Sequence, residues 1–411
     1  VPTPTRSKLL LLAILAPVAL LTSCRRNAFP DVPAGYREFA YVANSGSNTV
    51  SVLDLVYFRQ DHTLQVGINP TGLAVNPVRN EVYAVNSATP STNGSVSVIN
   101  ADTNRVVATI PLHRQPYFLS VDPQGLRGYV ANSGSNTVSV LDLVQHRELA
   151  VAGTGEQPGL ARISPDMRSL VVSNRGSNSV SIFAVAPYLP GSPAVPPNQA
   201  LTLRAAFPGC PGATDVAILP DSSKAFVACS AGHQIMAISL AAAPDSWAAK
   251  QDPSLTTDHL LTLLDVGNTP VQIAVKPDGG EVFVSNFGSD SISEVDAWNN
   301  QVGATYTIGN KPVHGIISRD NSTLWVSNFG ADSISLWSID DGKLEGSIHT
   351  GSAPDALAFS ADEHLLLAAD AHSGDVSVIR TQGKSSPTLF TLLPAGNKPS
   401  SIVVKALTKK P

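Results

Sequence analysis

Residues 39–54 (FAYVANSGSNTVSVLD) recur almost unchanged as residues 128–142 (GYVANSGSNTVSVLD), and weaker copies fill the rest of the chain. Aligned on the aromatic or aliphatic position of this motif, the copies fall at Tyr41, Tyr83, Tyr129, Val171, Phe226, Phe283, Trp325 and Leu367. Their spacings are 42, 46, 42, 55, 57, 42 and 42 residues. Three residues further on stand Asn44, Asn86, Asn132, Asn174, Cys229, Asn286, Asn328 and Asp370. A repeat of this period cannot bury its apolar face alone, so it must pack on its own copies.

Each copy reads as four short strands. In the unit that begins at Pro116, residues 118–121 alternate into the turn Asp122–Gly125, and residues 128–131 form a second strand. The segment 132–136 is rich in Asn, Ser and Gly, which bond their own backbone or tolerate left-handed conformations. Residues 138–140 and 146–151 supply the third and fourth strands. Four strands in about 42 residues match one blade of a β-propeller. The expected fold is all-β, a single β-propeller of four-stranded blades, eight by motif count and seven as the alternative. The first unit starts at its second strand near Phe39, and residues 397–404 carry a first-strand pattern with nothing after it. The C-terminal strand should therefore complete the first blade and close the ring. The reading is a propeller over 39–407 and a tail at 408–411. Long insertions at 184–200 and 241–258 lie between third and fourth strands, on one face; a smaller one at 87–95 lies on the opposite face.

Composition agrees. Only 14% of the residues are charged, where a globular chain carries about 25%. Helical bundles need Lys and Glu on their solvated faces, and inner strands with Ser/Asn/Gly turns do not. With 43% apolar residues and a net charge of −5, disorder is excluded. A sequence pI near 6.0 gives no footprint for nucleic acid, which is not an expected partner.

The motif set Tyr41–Asn44, Val50–Asp54, Tyr129–Asn132, Gly267–Asp278 and Gly309–Pro312 resembles the YVTN family of β-propeller repeats across residues 39–405. WD-repeat propellers are the competitor, but no Trp-Asp dipeptide occurs, and the sole Gly-Gly pair, Gly279-Gly280, argues against Kelch repeats. Seven blades are the commoner number in the resembled family. The fifth unit departs most, with Cys229 for Asn and Ile235-Met236-Ala237 for Val-Ser-Val.

The N-terminus reads as a targeting segment. Arg6 and Lys8 precede the apolar run Leu9–Leu21, too short for a membrane-spanning helix and suited to a signal peptide. Leu21-Thr22-Ser23-Cys24 resembles the bacterial lipobox, which implies cleavage of residues 1–23 and a diacylglyceryl group on Cys24. Residues 24–38 become a lipidated tether. Arg25, where an Asp would retain the protein at the inner membrane, implies the periplasmic face of the outer membrane or the cell surface. Cleavage removes two basic residues and no acid, leaving 25 basic against 32 acidic side chains, a net charge of −7. In an oxidising compartment Cys210 and Cys229, 19 residues apart, are read as a disulfide; the alternative is two small buried apolar residues.

No haem-attachment, zinc, calcium, phosphate-loop or nucleophile-elbow pattern is present, so no metal, cofactor or catalytic constellation is expected. A propeller's natural site is the mouth of its channel. Aligned there, most residues are bland; Tyr117, Phe118, Asp215, Gln272, His314 and Asp355 are not, and His113, Arg114, Lys311 and Lys398 could join them at the rim. His314 with Asp215 or Asp355 could hold a metal or act as acid and base, against the plainer reading of a bonded inner-strand histidine and solvated acids. Mixed aromatic and polar lining suits a small or peptidic ligand. The expected role is a lipid-tethered interaction scaffold for a protein, peptide or cell-envelope ligand. The resemblance implies two alternatives, a lactonase-like enzyme or the non-redox scaffold of a quinoprotein dehydrogenase complex.

Overall fold

The computed structural model describes residues 33–188, 196–382 and 387–407. The leader 1–23, Cys24 and the first part of the tether lie outside the described residues, as do 189–195 of the first insertion and the 408–411 tail. Eight four-stranded antiparallel sheets are arranged as the blades of one propeller. Blade 1 joins Arg37–Asn44, Thr49–Asp54 and Arg59–Gln65 to the C-terminal strand Pro399–Leu407, which is its innermost strand. That pairing runs from Arg37 opposite Leu407 to Asn44 opposite Pro399 and closes the ring. Blades 2 to 8 begin their innermost strands at Pro70, Pro116, Pro158, Ala213, Pro270, Pro312 and Pro354.

Strand direction fixes two faces. Innermost strands start on what we term the upper face, so the turns between second and third strands are there too. Turns between third and fourth strands are on the lower face, with both long insertions, between Val185 and Leu201 and between Ser239 and His259. Alternating side chains pack blade on blade. Tyr129, Val138 and Val140 of blade 3 meet Ala161, Leu170 and Val172 of blade 4 in one buried cluster. Each such large apolar side chain stabilises by about 1.5–3 kcal/mol.

The repeated asparagine ends the second strand and is buried. Asn132 Nδ2 donates to Thr137 Oγ1 at 3.2 Å and Ser139 Oγ at 2.8 Å, and Asn44, Asn86, Asn174, Asn286 and Asn328 repeat the arrangement. The sequence spacing of the Ser/Thr residues is thus a hydrogen-bond requirement. In most blades a glycine three residues before the blade's own innermost strand lies against the amide, blade 3 having His113 there; a Cβ on Gly309 would stand 2.4 Å from Asn328 Cγ, so no side chain fits beside that amide. In blade 5 both partners change together. Cys210 takes the glycine's place and Cys229 the asparagine's, and the two form a disulfide with Cα atoms 4.8 Å apart. In blade 8 the amide becomes Asp370, which accepts from Ser377 Oγ at 2.7 Å.

A second device links neighbouring blades. Except in blade 2, the residue ending each upper turn and the residue preceding the next innermost strand both take positive φ, as with Asn48 (58°) and Asn69 (53°). Asn48 Oδ1 accepts from Asn69 N–H at 2.8 Å. The same bond joins Asn136 to Gln157, Asn178 to Gly212, His233 to Thr269, Asp290 to Lys311 and Asp332 to Ala353. Asn and Asp suit this position because they tolerate left-handed backbone and carry a short acceptor.

Two outcomes test this account. Deleting residues 398–411 should abolish the single cooperative melt by removing the strand that closes blade 1; an unaltered calorimetric trace would refute closure. Burial pushes the Asp370 carboxyl up to about 8 from an ordinary 3.8. Between those values the unfolded chain ionises the group while the folded chain keeps its proton, so stability falls as pH rises through the window. Asp370→Asn should remove that fall, and its melting temperature should gain on the parent's as pH rises from 3.8 to 8; parallel curves would refute the buried acid.

Candidate functional site

The innermost strands line a central cavity of about 530 Å³. Along each of them every second side chain faces the axis. Two residues into the strand stand Phe118, Gln272, His314, Ala356 and Ser401, and two residues deeper stand Arg162, Ala217, Ala274, Ile316 and Val403. The walls are therefore mostly apolar, with a few polar groups.

Several of those polar groups brace neighbouring innermost strands. Asp215 Oδ2 accepts from Ile273 N–H at 2.8 Å. Gln272 Oε1 accepts from Gly315 N–H at 2.8 Å while its Nε2 donates to the Gly315 carbonyl at 3.3 Å. Ser401 Oγ accepts from Leu73 N–H at 3.1 Å. Arg162 Nη2 lies 3.8 Å from Asp215 Oδ1, its guanidinium 5.9 Å from the Phe118 ring centre, and its buried Nε has no hydrogen-bond partner among the described residues. The His314 ring makes no hydrogen bond among the described residues. Burial first, and the Arg162 charge second, lower its pKa to about 4, so it is neutral at pH 7. Burial raises Asp215, and Arg162 with the Ile273 N–H opposes that rise.

Tyr117 and Asp355 are one residue nearer the upper face. Tyr117 is 47% exposed and borders a small cavity with Gln115, Ser133 and Arg175. Burial and the Asp355 and Asp215 carboxylates raise its phenol pKa, and Arg175 opposes them. Burial alone pushes Asp355 up to about 6. Arg114, Lys311 and Lys398 are exposed on the upper rim. Lys311 holds its Nζ 5.6 Å from the Phe287 ring centre, and the Lys398 carbonyl accepts from Ser45 N–H at 3.0 Å.

His113 is elsewhere. It sits on Arg105–Arg114, the outermost strand of blade 2, with Nε2 3.3 Å from Glu148 Oε1 on the outermost strand of blade 3. This corrects its placement at the channel rim. The strand runs ten residues with two register shifts, so His113 is still part of the outer edge where other blades already have loop. Conversely, Arg162 belongs to the channel and escaped a reading confined to the first layer. Stepping by two from Pro158 through Leu160 would have found it. The described residues contain no cluster of three or more His, Cys, Asp or Glu able to hold a metal. The site offers one buried-edge guanidinium, a neutral imidazole and a braced carboxylate, which suits ligand recognition.

A family model described as lactonase, seven-bladed β-propeller, matches residues 304–391, which span blade 7 and most of blade 8. No curated protein sequence matches the chain. Among solved structures, the dihydro-heme d1 dehydrogenase NirN in complex with DHE is similar with a TM-score of 0.69 at 18% identity, covering 93% of this chain and 78% of its own. AztD from Citrobacter koseri gives 0.64 at 12% identity, covering 91% and 99%. A 6-phosphogluconolactonase-like protein from Bacteroides fragilis NCTC 9343 gives 0.58 at 14% identity, covering 92% and 100%. Identities this low speak for the fold.

The electrostatic coupling in the channel can be measured. Arg162→Ala removes a positive charge beside His314, so the imidazole titration, followed by NMR, should move upward from about 4. A stationary midpoint would show that the two groups do not interact. The chain is an all-β, eight-bladed propeller, and its residues 304–391 match the model of a lactonase propeller.

Proposed function

We propose that this protein is an extracytoplasmic, lipid-anchored scaffold that binds an anionic small-molecule or peptidic ligand in its central channel. One observation carries the reading: the unpartnered Nε of Arg162 beside the neutral His314, in a largely apolar cavity of about 530 Å³. A guanidinium edge at the bottom of an apolar cup selects a carboxylate or similar oxyanion. The rim cations Arg114, Lys311 and Lys398 attract the same charge from a distance. The apolar run before Cys24 and the Cys210–Cys229 disulfide support an oxidising envelope compartment. The lipobox-like Leu21-Thr22-Ser23-Cys24 supports attachment through a lipid on Cys24, at the periplasmic face of the outer membrane or the cell surface.

A lactonase-like enzyme is the second reading, favoured by a family match that includes His314 and Asp355. The likeness to a dehydrogenase solved with DHE favours the scaffold of a redox complex instead. Thermal-shift titration with a panel of carboxylates and acidic dipeptides separates these. The binding reading expects at least one compound to raise the melting temperature of the parent and to lose most of that effect in Arg162→Ala. No response across the panel would refute it, and lactone hydrolysis abolished by His314→Ala would establish the enzyme. For the anchor, Cys24→Ala should move the protein from the membrane to the soluble fraction; unchanged partitioning would refute lipidation.

A further inference from the structure

On the lower face, between blades 3 and 4, lies a cavity of about 170 Å³ that shares no lining residue with the channel. Arg127, at the start of the second strand of blade 3, is only 2% exposed and lines it. Its Nη1 donates to the Ala186 carbonyl at 2.9 Å, while Nε and Nη2 have no well-aligned partner among the described residues. The Tyr188 ring centre lies 4.6 Å from the guanidinium.

Other blades show what this position ordinarily does. Lys224, its equivalent in blade 5, donates to the Ala297 and Trp298 carbonyls and to Asn300 Oδ1 of the next blade. In blade 2 the position is Glu81, whose carboxylate meets Arg79, Tyr83 Oη and His146 of blade 3. Each of those junctions is filled by a tight lower turn ending in Asn300 or His146. Between blades 3 and 4 the insertion after Val185 replaces that turn, and of its described residues Ala186 accepts from Arg127, through its carbonyl. The local acids are already engaged. Asp122 accepts from Leu126 and Arg127 N–H, and Asp166 accepts from Ser164 Oγ and Arg168 N–H. The Tyr129 hydroxyl interacts with the Arg127 guanidinium and the Asp122 carboxylate acts on its charge, but neither pairs with the Nε/Nη2 edge in good geometry, and a planar carboxylate would match its two parallel donors.

We propose that this interblade cavity is a second ligand site, in which Arg127 binds a small carboxylate by the Nε/Nη2 edge and Tyr188 covers its apolar or aromatic body. A cavity of about 170 Å³ limits the ligand to a small carboxylate. The site is separate from the channel, and the two stand or fall independently.

The test uses the full mature protein, with benzoate and acetate as probes and inorganic phosphate as the comparison, by calorimetric titration and saturation-transfer NMR. The parent should bind benzoate saturably and more tightly than phosphate, and Arg127→Gln should weaken benzoate by about tenfold or more. If Arg127→Gln fails to melt cooperatively, Tyr188→Ala, at the half-buried wall, carries the test and should also weaken binding. Absence of saturable binding, phosphate bound as tightly as benzoate, or affinity unmoved by the folded variants would each overturn the proposal. Loss of benzoate binding in Arg162→Ala alone would assign the signal to the channel and likewise overturn it.

Discussion

In six of the eight blades a single acceptor at the end of the upper turn sets where the next blade begins. Asn48, Asn136, Asn178, His233, Asp290 and Asp332 each hold the N–H that immediately precedes the following innermost strand. Both residues of the pair occupy left-handed backbone, so the bond fixes two turns at once. The start of an innermost strand decides which of its side chains reach the axis, because a slip of one residue would turn every second residue away. Channel chemistry therefore depends on turns at some distance from it. The buried Asn–Gly contact does complementary work within the blade, bringing the incoming chain against the amide so closely that a side chain is excluded.

Much of this was legible in the sequence, because a repeat exposes its own constraints. The blade count, the four strands per blade and the closing strand all follow from motif spacing, and the structure has them. The site was harder to read. Phe118, Gln272 and His314 line the channel together, since each follows a proline that marks strand start. His113 misled because motif alignment treats every position before the proline as loop, while blade 2 extends its outermost strand through it. Arg162 went unnoticed because it lies one layer deeper, in a strand whose other residues are unremarkable. Sequence periodicity contains that layer, but does not say how far down the axis a cavity extends.

The matched family model is seven-bladed, whereas this ring has eight sheets, and the match lies within residues 304–391. The two statements are compatible, because a repeat model recognises blades and blades close at different numbers. Adding a blade widens the axial space. Small residues such as Ala356 and Ser401 then line a cavity in place of filling it.

The most informative comparison is between blades of this one chain. Positions that repeat are explained by the architecture: Asn with Ser/Thr, Gly against Asn, Cys with Cys where both change. Asp215, Gln272 and Ser401 look functional at the mouth, yet each uses its polar atoms to brace the neighbouring innermost strand. What remains after that subtraction is small. Arg162 and Arg127 are cations that do not recur at these positions except as Lys224, and each retains a buried donor with no well-aligned acceptor among the described residues. Arg162 is paired with Asp215 and Arg127 bonds the Ala186 carbonyl, yet the remaining donor edge of each has no part in the repeat architecture. A ligand oxyanion would give that edge a partner, by the same electrostatics in the channel and between the blades.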